Sequence, residues 1–302
     1  HAGKTAGDAC IRAGCRGPAP ACAAKAACGK RNSSVIHPRD WYVETIGQGP
    51  DLVLLHGLGA SSFSWRHNRT ALARHFRVIT PDLPGHGKSP ALPYGDYGVE
   101  ALLQGILDFL DWHKVERVIL GGNSLGGGLA LLAARERPEQ VRALVLLAPA
   151  AALTRVPLAF YPLRLPVLGY GLAALLGPWL LARFLRLVYC HPEPIIAEAV
   201  AGYAPPYRDF SHRLALRQVC RHLEVRPLNE IAELLEHLAQ PASLIWGAQD
   251  RILSPAQGEW IKNHLSQAEF HLLPEVGHAP QEEAPAAVNK IIIDFLGRSL
   301  NN

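Results

Sequence analysis

The chain has 302 residues, 49% hydrophobic and 19% charged, with a formal net charge of +4. That is enough apolar material for one large domain or a domain with an insertion, and it excludes a disordered or fibrous chain. No dense Lys/Arg cluster points to nucleic acid, and four of the six cysteines (Cys10, Cys15, Cys22, Cys28) fall in the first thirty residues, so the body is no disulfide scaffold.

Residues 1–34 are rich in Ala, Gly, Cys and Pro without periodicity, and are expected to be a disordered extension. They set Lys4, Arg12, Arg16, Lys25, Lys30 and Arg31 against the acid Asp8, the bias of an organelle leader, but lack the apolar core of a secretory signal. Their cysteines have no paired C-x-x-C spacing for a metal. A cytoplasmic location is the expectation, with membrane association or organelle targeting as alternatives.

From Trp41 the pattern changes. Trp41–Ile46 reads as a strand and Asp51–Leu55 as a strand buried on both faces. Helical spacing covers Phe63–Arg74, a strand Phe76–Thr80, and a helix Tyr97–Trp112. Val118–Leu120 leads into Gly121-Gly122-Asn123-Ser124-Leu125-Gly126 and a helix that Pro138 stops; Val141–Leu147 is another strand. Strands alternating with helices predict a doubly wound, mostly parallel sheet.

The alternation then lapses. Residues 150–226 show no strand pattern and many prolines, and are expected to be a helical cap on a core of residues 35–149 and 227–302. Within it Leu165–Ala182 is uncharged and reaches the lower length limit for a membrane span, yet Pro166, Gly169, Gly171, Gly177 and Pro178 break it. An apolar roof over a pocket, touching a greasy substrate or making peripheral lipid contact, is the expectation. Beyond it come a helix Asn229–Gln240, a strand Ala242–Trp246, a helix Ser254–Leu265 capped by Ser254 with Pro255 at its first position, a strand Phe270–Leu273 and a helix Ala286–Leu296.

The G-x-S-x-G run around Ser124 fits a nucleophile elbow, in which Gly122 and Gly126 allow a sharp strand-to-helix turn. A serine hydroxyl needs a base, and the base an orienting acid. Asp250 and His278 each lie just after a predicted strand, in the order Ser–Asp–His, and are assigned as orienter and general base. The amides of Leu125 and of Leu58, in the loop His56-Gly57-Leu58-Gly59, are the expected oxyanion donors, with His56, Gly57, Gly59, Gly122, Asn123 and Gly126 shaping the site.

These motifs, with Asp82–Ser89 and Gly277-His278-Ala279-Pro280 followed by Glu283, resemble the α/β-hydrolase superfamily from about Arg39 to Leu300. The resemblance implies the α/β-hydrolase fold, and a serine rather than an aspartate at the elbow implies an acyl-enzyme. The leading expectation is a carboxylesterase or lipase acting on a small apolar ester. Gly122-Asn123-Ser124 also resembles the carbon–carbon bond hydrolases of aromatic ring-cleavage products, for which Arg155, Arg164, Arg183 and Arg186 are the available anion site. A cofactor-free perhydrolase and a non-catalytic ligand-binding member are further alternatives. No phosphate loop, metal cluster or dinucleotide fingerprint appears, so no cofactor or metal is expected.

Overall fold

The computed structural model describes residues 36–223 and 225–300; the expectations for residues 1–34 lie outside them. Within these residues seven strands, β1 (Val43–Ile46), β2 (Asp51–Leu55), β3 (Arg77–Pro81), β4 (Val118–Asn123), β5 (Val141–Leu147), β6 (Ala242–Gly247) and β7 (Ala268–Leu273), form one sheet. Its order is β1-β3-β2-β4-β5-β6-β7, with β1 antiparallel to β3 and the other pairs parallel. Parallel neighbours need crossovers, and helices supply them. These begin with α1 (Arg69–Leu72), α2 (Val99–Trp112) and α3 (Leu125–Glu136). Between β5 and β6 come α4 (Tyr161–Arg164), α5 (Pro166–Ala174), α6 (Pro178–Val188), α7 (Ile196–Tyr203), α8 (Phe210–Arg221) and α9 (Leu228–Glu236). The chain continues with α10 (Pro255–His264), α11 (Pro280–Glu283) and α12 (Pro285–Ser299).

Strand side chains alternate between two apolar layers. Leu52, Leu54, Ile119 and Val145 pack with Leu72 of α1 and Val288, Ile292 and Phe295 of α12. Val53, Leu55, Leu120, Leu144 and Leu146 face the opposite layer, with Ile106 and Phe109 of α2, Leu129 of α3 and Leu234 of α9. Burial on both faces is why these strands read as unbroken apolar runs; each such side chain contributes about 1.5–3 kcal/mol.

The described residues between β5 and β6 contain no strand, and α4 to α8 carry apolar clusters of their own. One gathers Leu181 and Leu185 of α6 with Ala199 and Tyr203 of α7; the other gathers Leu163, Ala173, Tyr207, Leu216 and Cys220. Helices α5 and α6 meet at a bend of 108°, and no single helix among the described residues is long and apolar enough to cross a membrane. Pro166 and Pro178 each open a helix rather than interrupt one, which is where proline is tolerated.

Several local expectations differ from the structure. Residues 63–74 form a 3-10 turn, Ser62–Trp65, and the short α1 instead of one helix. The fully buried Asn68 between them donates its side-chain amide to Asn289 at 2.9 Å, which fixes the break. Ser254 makes no side-chain cap, although Pro255 does open α10. Cys190 and Cys220 are free thiols, and burial pushes that of Cys220 up to about 12.

Helix α3 begins with three glycines, each costing about 1 kcal/mol of helix propensity relative to alanine. Close packing explains them: a Cβ on Gly126 would lie 2.5 Å from the Leu55 carbonyl oxygen and 2.6 Å from that of His56. Gly126→Ala is therefore expected to destabilise the fold by about 1–3 kcal/mol, read as a lower urea midpoint at unchanged slope. An unchanged midpoint would show that α3 is not seated so tightly on β2.

Candidate active site

The chain turns from β4 into α3 at Ser124, whose φ of 53° and ψ of −117° are strained for a residue with a side chain. The turn closes because Gly122 and Gly126 touch: a Cβ on Gly122 would sit 2.6 Å from the Gly126 carbonyl oxygen. Ser124 stays in register through its N–H, which donates to Leu147 O at 2.9 Å at the end of β5. Leu125 opens α3, so its N–H has no partner within the helix and points with the positive end of the helix dipole.

After β6, Asp250 accepts two backbone hydrogen bonds through Oδ1, from Ile252 N–H at 2.8 Å and Leu253 N–H at 2.9 Å. Its Oδ2 lies 2.7 Å from His278 Nδ1, and the Asp250 side chain is wholly buried. The arrangement fixes the imidazole with its Nδ1 proton toward the carboxylate and Nε2 left as the basic nitrogen. His278 is held by its backbone too: its N–H donates to Val188 O at 2.8 Å and its carbonyl accepts from Asn123 Nδ2 at 3.1 Å. Glu283 gathers the same loop, accepting from Gly277 N–H at 3.0 Å and from Cys190 N–H at 2.6 Å.

Ser124 and His278 line one cavity, together with Gly57, Leu58, Gly59 and Asn123. His56, Gly122, Leu125 and Gly126 stand behind its wall rather than on its lining, and Asp250 reaches it only through His278. The turn at Leu58 is closed by Ala60 N–H onto Gly57 O at 3.1 Å, and Gly59 has φ 74°. The hydroxyl of Tyr207 donates to Gly59 O at 2.8 Å from above, so the insertion holds this loop directly. Most of the remaining lining is apolar and comes from the insertion, including Leu163, Leu172, Leu176, Leu180 and Phe184.

A model of the alpha/beta hydrolase family matches residues 52–291. The chain belongs to the alpha/beta hydrolase family. A pimeloyl-acyl-carrier-protein methyl ester esterase of Chromobacterium violaceum is 32% identical over 250 residues, covering 79% of this chain and 91% of that protein. Among solved structures, a thermophilic esterase from Thermogutta terrifontis matches with a TM-score of 0.73 at 26% identity, over 86% of this chain and 93% of that one. A 2-hydroxy-6-oxo-6-phenylhexa-2,4-dienoate hydrolase from Rhodococcus has the same TM-score of 0.73 at 24% identity, over 85% of this chain and 94% of that one, a likeness of fold.

Some site residues of this alpha/beta hydrolase were not singled out in the sequence. Glu282, on the cavity wall, is fully buried and accepts from Arg66 at 2.6 Å, Tyr203 Oη at 2.9 Å and Tyr189 Oη at 3.2 Å. Burial raises its pKa against the pull of Arg66. Desolvation works against the Arg66 charge, but Glu198 and Glu282 outweigh it and raise its pKa. Gln281 and Ser64 also line the cavity, and their buried side-chain oxygen and nitrogen atoms have no partner among the described residues. Glu282 and Gln281 adjoin the quoted Glu283, but only the folded chain turns them inward. The arginines Arg155, Arg164, Arg183 and Arg186 do not line the cavity. Arg164 donates to the carbonyls of Cys220 and Leu223, and Arg186 lies 3.4 Å from Glu193. Among the described residues no group of three or more His, Cys, Asp or Glu side chains is placed to hold a metal ion.

His56 supports the site from below. Its Nε2 accepts Leu83 N–H at 2.9 Å, so Nδ1 carries the proton toward Gly57 O at 2.8 Å. Burial lowers its pKa from 6.5 to about 4, against the opposing effect of that bond to Gly57. His86, with its ring centroid 5.1 Å away, is lowered to about 3, by burial first and then by His56. In the unfolded chain both rings take up a proton near pH 6.5, whereas in the folded chain they stay neutral down to about 4 and 3. Their contribution to stability is therefore complete above pH 6.5 and declines as pH falls from there toward 4, by up to about 1.4 kcal/mol per pH unit for each ring. Urea midpoints should drop between about pH 7 and pH 5, and His56→Gln should flatten that drop. The same slope in wild type and variant would contradict a neutral buried His56.

Proposed function

We propose that the chain is a serine hydrolase that cleaves carboxylic esters of apolar acyl groups through an acyl-enzyme, with residues 150–226 as a cap over the cavity. The carrying observation is the 2.7 Å contact between His278 Nδ1 and a buried, doubly amide-bound Asp250, on the cavity that Ser124 shares. In this reading Ser124 Oγ attacks the ester carbonyl carbon while His278 Nε2 takes its proton, and Asp250 stabilises the imidazolium. The tetrahedral oxyanion accepts hydrogen bonds from Leu58 and Leu125 N–H. Collapse breaks the bond to the alkoxy oxygen, which leaves as alcohol with the proton from His278. Water then attacks the acyl-enzyme, giving its proton to His278, and the serine leaves with that proton as the carboxylic acid is released.

The choice of ester over a dienoate carbon–carbon bond rests on charge. Among the described residues no lysine or arginine lines the cavity, and its one carboxyl-bearing wall residue is Glu282. An anionic dienoate entering that space would lose its hydration without a cation to replace it, at a cost of several kcal/mol. An apolar acyl chain meets Leu172, Leu176, Leu180 and Phe184 and gains about 25 cal/mol for each Å² buried. The acyl-carrier-protein relative acts, by its name, on the methyl ester of an acyl chain, which is consistent with such a cavity.

With p-nitrophenyl butyrate, Ser124→Ala is expected to lower kcat by about 10⁴-fold or more, and Asp250→Asn by about 10⁴-fold. Ser124→Ala within tenfold of wild type would end the assignment. Extending the acyl chain should raise kcat/KM until the cavity is filled. Turnover of a 2-hydroxy-6-oxodienoate well above that of every ester tried would replace this reading with carbon–carbon cleavage.

A further inference from the structure

Sixteen large apolar side chains are exposed among the described residues, and nine of them fall between Leu158 and Leu187. Singly exposed apolar residues need no explanation, but such a concentration in one segment marks an interaction surface. On α5, its C-cap and α6, Val167 is 86%, Trp179 77%, Leu175 76% and Leu168 57% exposed. Val167, Leu168 and Gly171 of α5 and Leu175 at its C-cap stand at spacings i, i+1, i+4 and i+8, which puts them on one outward face. The helix carries no charged residue on any face. A helix apolar all round is ordinarily enclosed by protein or lipid, and α5 is enclosed on one side only.

Along the sequence of this segment the charge is one-sided. From Gln140 to Pro192 the sequence has no Asp or Glu, but it has Arg142, Arg155, Arg164, Arg183 and Arg186. Of these Arg155, Arg183 and Arg186 are exposed. An apolar segment that also carries the exposed guanidinium groups of Arg155, Arg183 and Arg186, the last of them 3.4 Å from Glu193, complements an anionic lipid surface, where acyl chains meet phosphate headgroups. Trp179 and Tyr161 are the residue types that settle at that boundary. The 108° bend between α5 and α6 rules out one straight span and suits a pair of short helices lying in the interface.

We infer that the outer face of α5 and the start of α6 docks on an anionic membrane surface. The same two helices and their connection form the cavity roof from within, through Leu172, Leu176, Leu180 and Phe184. Docking would thus set the apolar cavity a single helix layer from the bilayer, and a lipophilic substrate would reach it without crossing water. This goes beyond the proposed ester chemistry, and its test reads partition rather than turnover.

The full chain is sedimented with vesicles of equimolar phosphatidylglycerol and phosphatidylcholine, and with phosphatidylcholine alone. The chain is expected to pellet with the anionic vesicles, less with the zwitterionic ones, and less again in high salt. Leu175→Glu with Trp179→Glu, neither residue lining the cavity, should lower partition by roughly tenfold or more while hydrolysis of a soluble short-chain ester stays within about twofold. Val167→Ser with Leu168→Ser tests the same face independently. Wild type that stays in the supernatant, or variants that pellet equally well, would overturn the inference. So would sedimentation velocity showing a wild-type dimer that the substitutions make monomeric, since a second copy would then cover the face.

Discussion

The site depends on one close approach, that of α3 to the ends of β2 and β4. Where Gly122 meets Gly126 there is no room for a Cβ, and only this contact allows Ser124 its left-handed backbone at a helix start. The strain is local, and the surrounding layers of buried aliphatic side chains hold it in place. The glycines lower the intrinsic stability of α3, yet they bring its N-terminus, and with it the Leu125 amide, up to the end of the sheet.

The segment between β5 and β6 is hydrogen-bonded to the loops of the candidate site rather than merely resting on them. Val188 accepts the His278 N–H, Cys190 N–H is held by Glu283, and Tyr207 grips the Gly59 carbonyl. Each of the two loops at the candidate site, at Leu58 and at His278, therefore follows a strand of the sheet and is tied to the segment between β5 and β6. A displacement of α6 would be felt by the His278 backbone directly, with no intermediate side chain.

The buried polar groups divide into two sorts. The Arg66–Glu282 pair is satisfied by Tyr189, Tyr203 and Glu198, so a charge at the cavity wall is already neutralised from behind. Breaking such a pair leaves an uncompensated buried charge, which costs more than the pair contributes. Gln281 and Ser64 are different, because both residues belong to the cavity wall while their buried side-chain polar atoms have no partner among the described residues.

Much of this was legible in the chain. Buried strands reveal themselves as short apolar runs because both faces are covered, and the elbow glycines, Asp250 and His278 stand at fixed places relative to those strands. Local chemistry fixes such features: a turn that only glycine permits, or a loop that must follow a strand. Other features had no local signal. The 3-10 turn that replaces a helix near Asn68 depends on Asn289, more than two hundred residues away. The inward turn of Gln281 and Glu282 follows from Tyr189, Tyr203 and Arg66, which arrive from separate parts of the chain. The sequence by itself determined the alternation of strands and helices and where Ser124, Asp250 and His278 stand relative to the strands, since period and punctuation are properties of neighbours, whereas the order of the strands came only with the fold. The tertiary structure alone decided which atoms line the cavity and that no arginine among the described residues reaches it, because burial and charge pairing are settled only when distant segments meet.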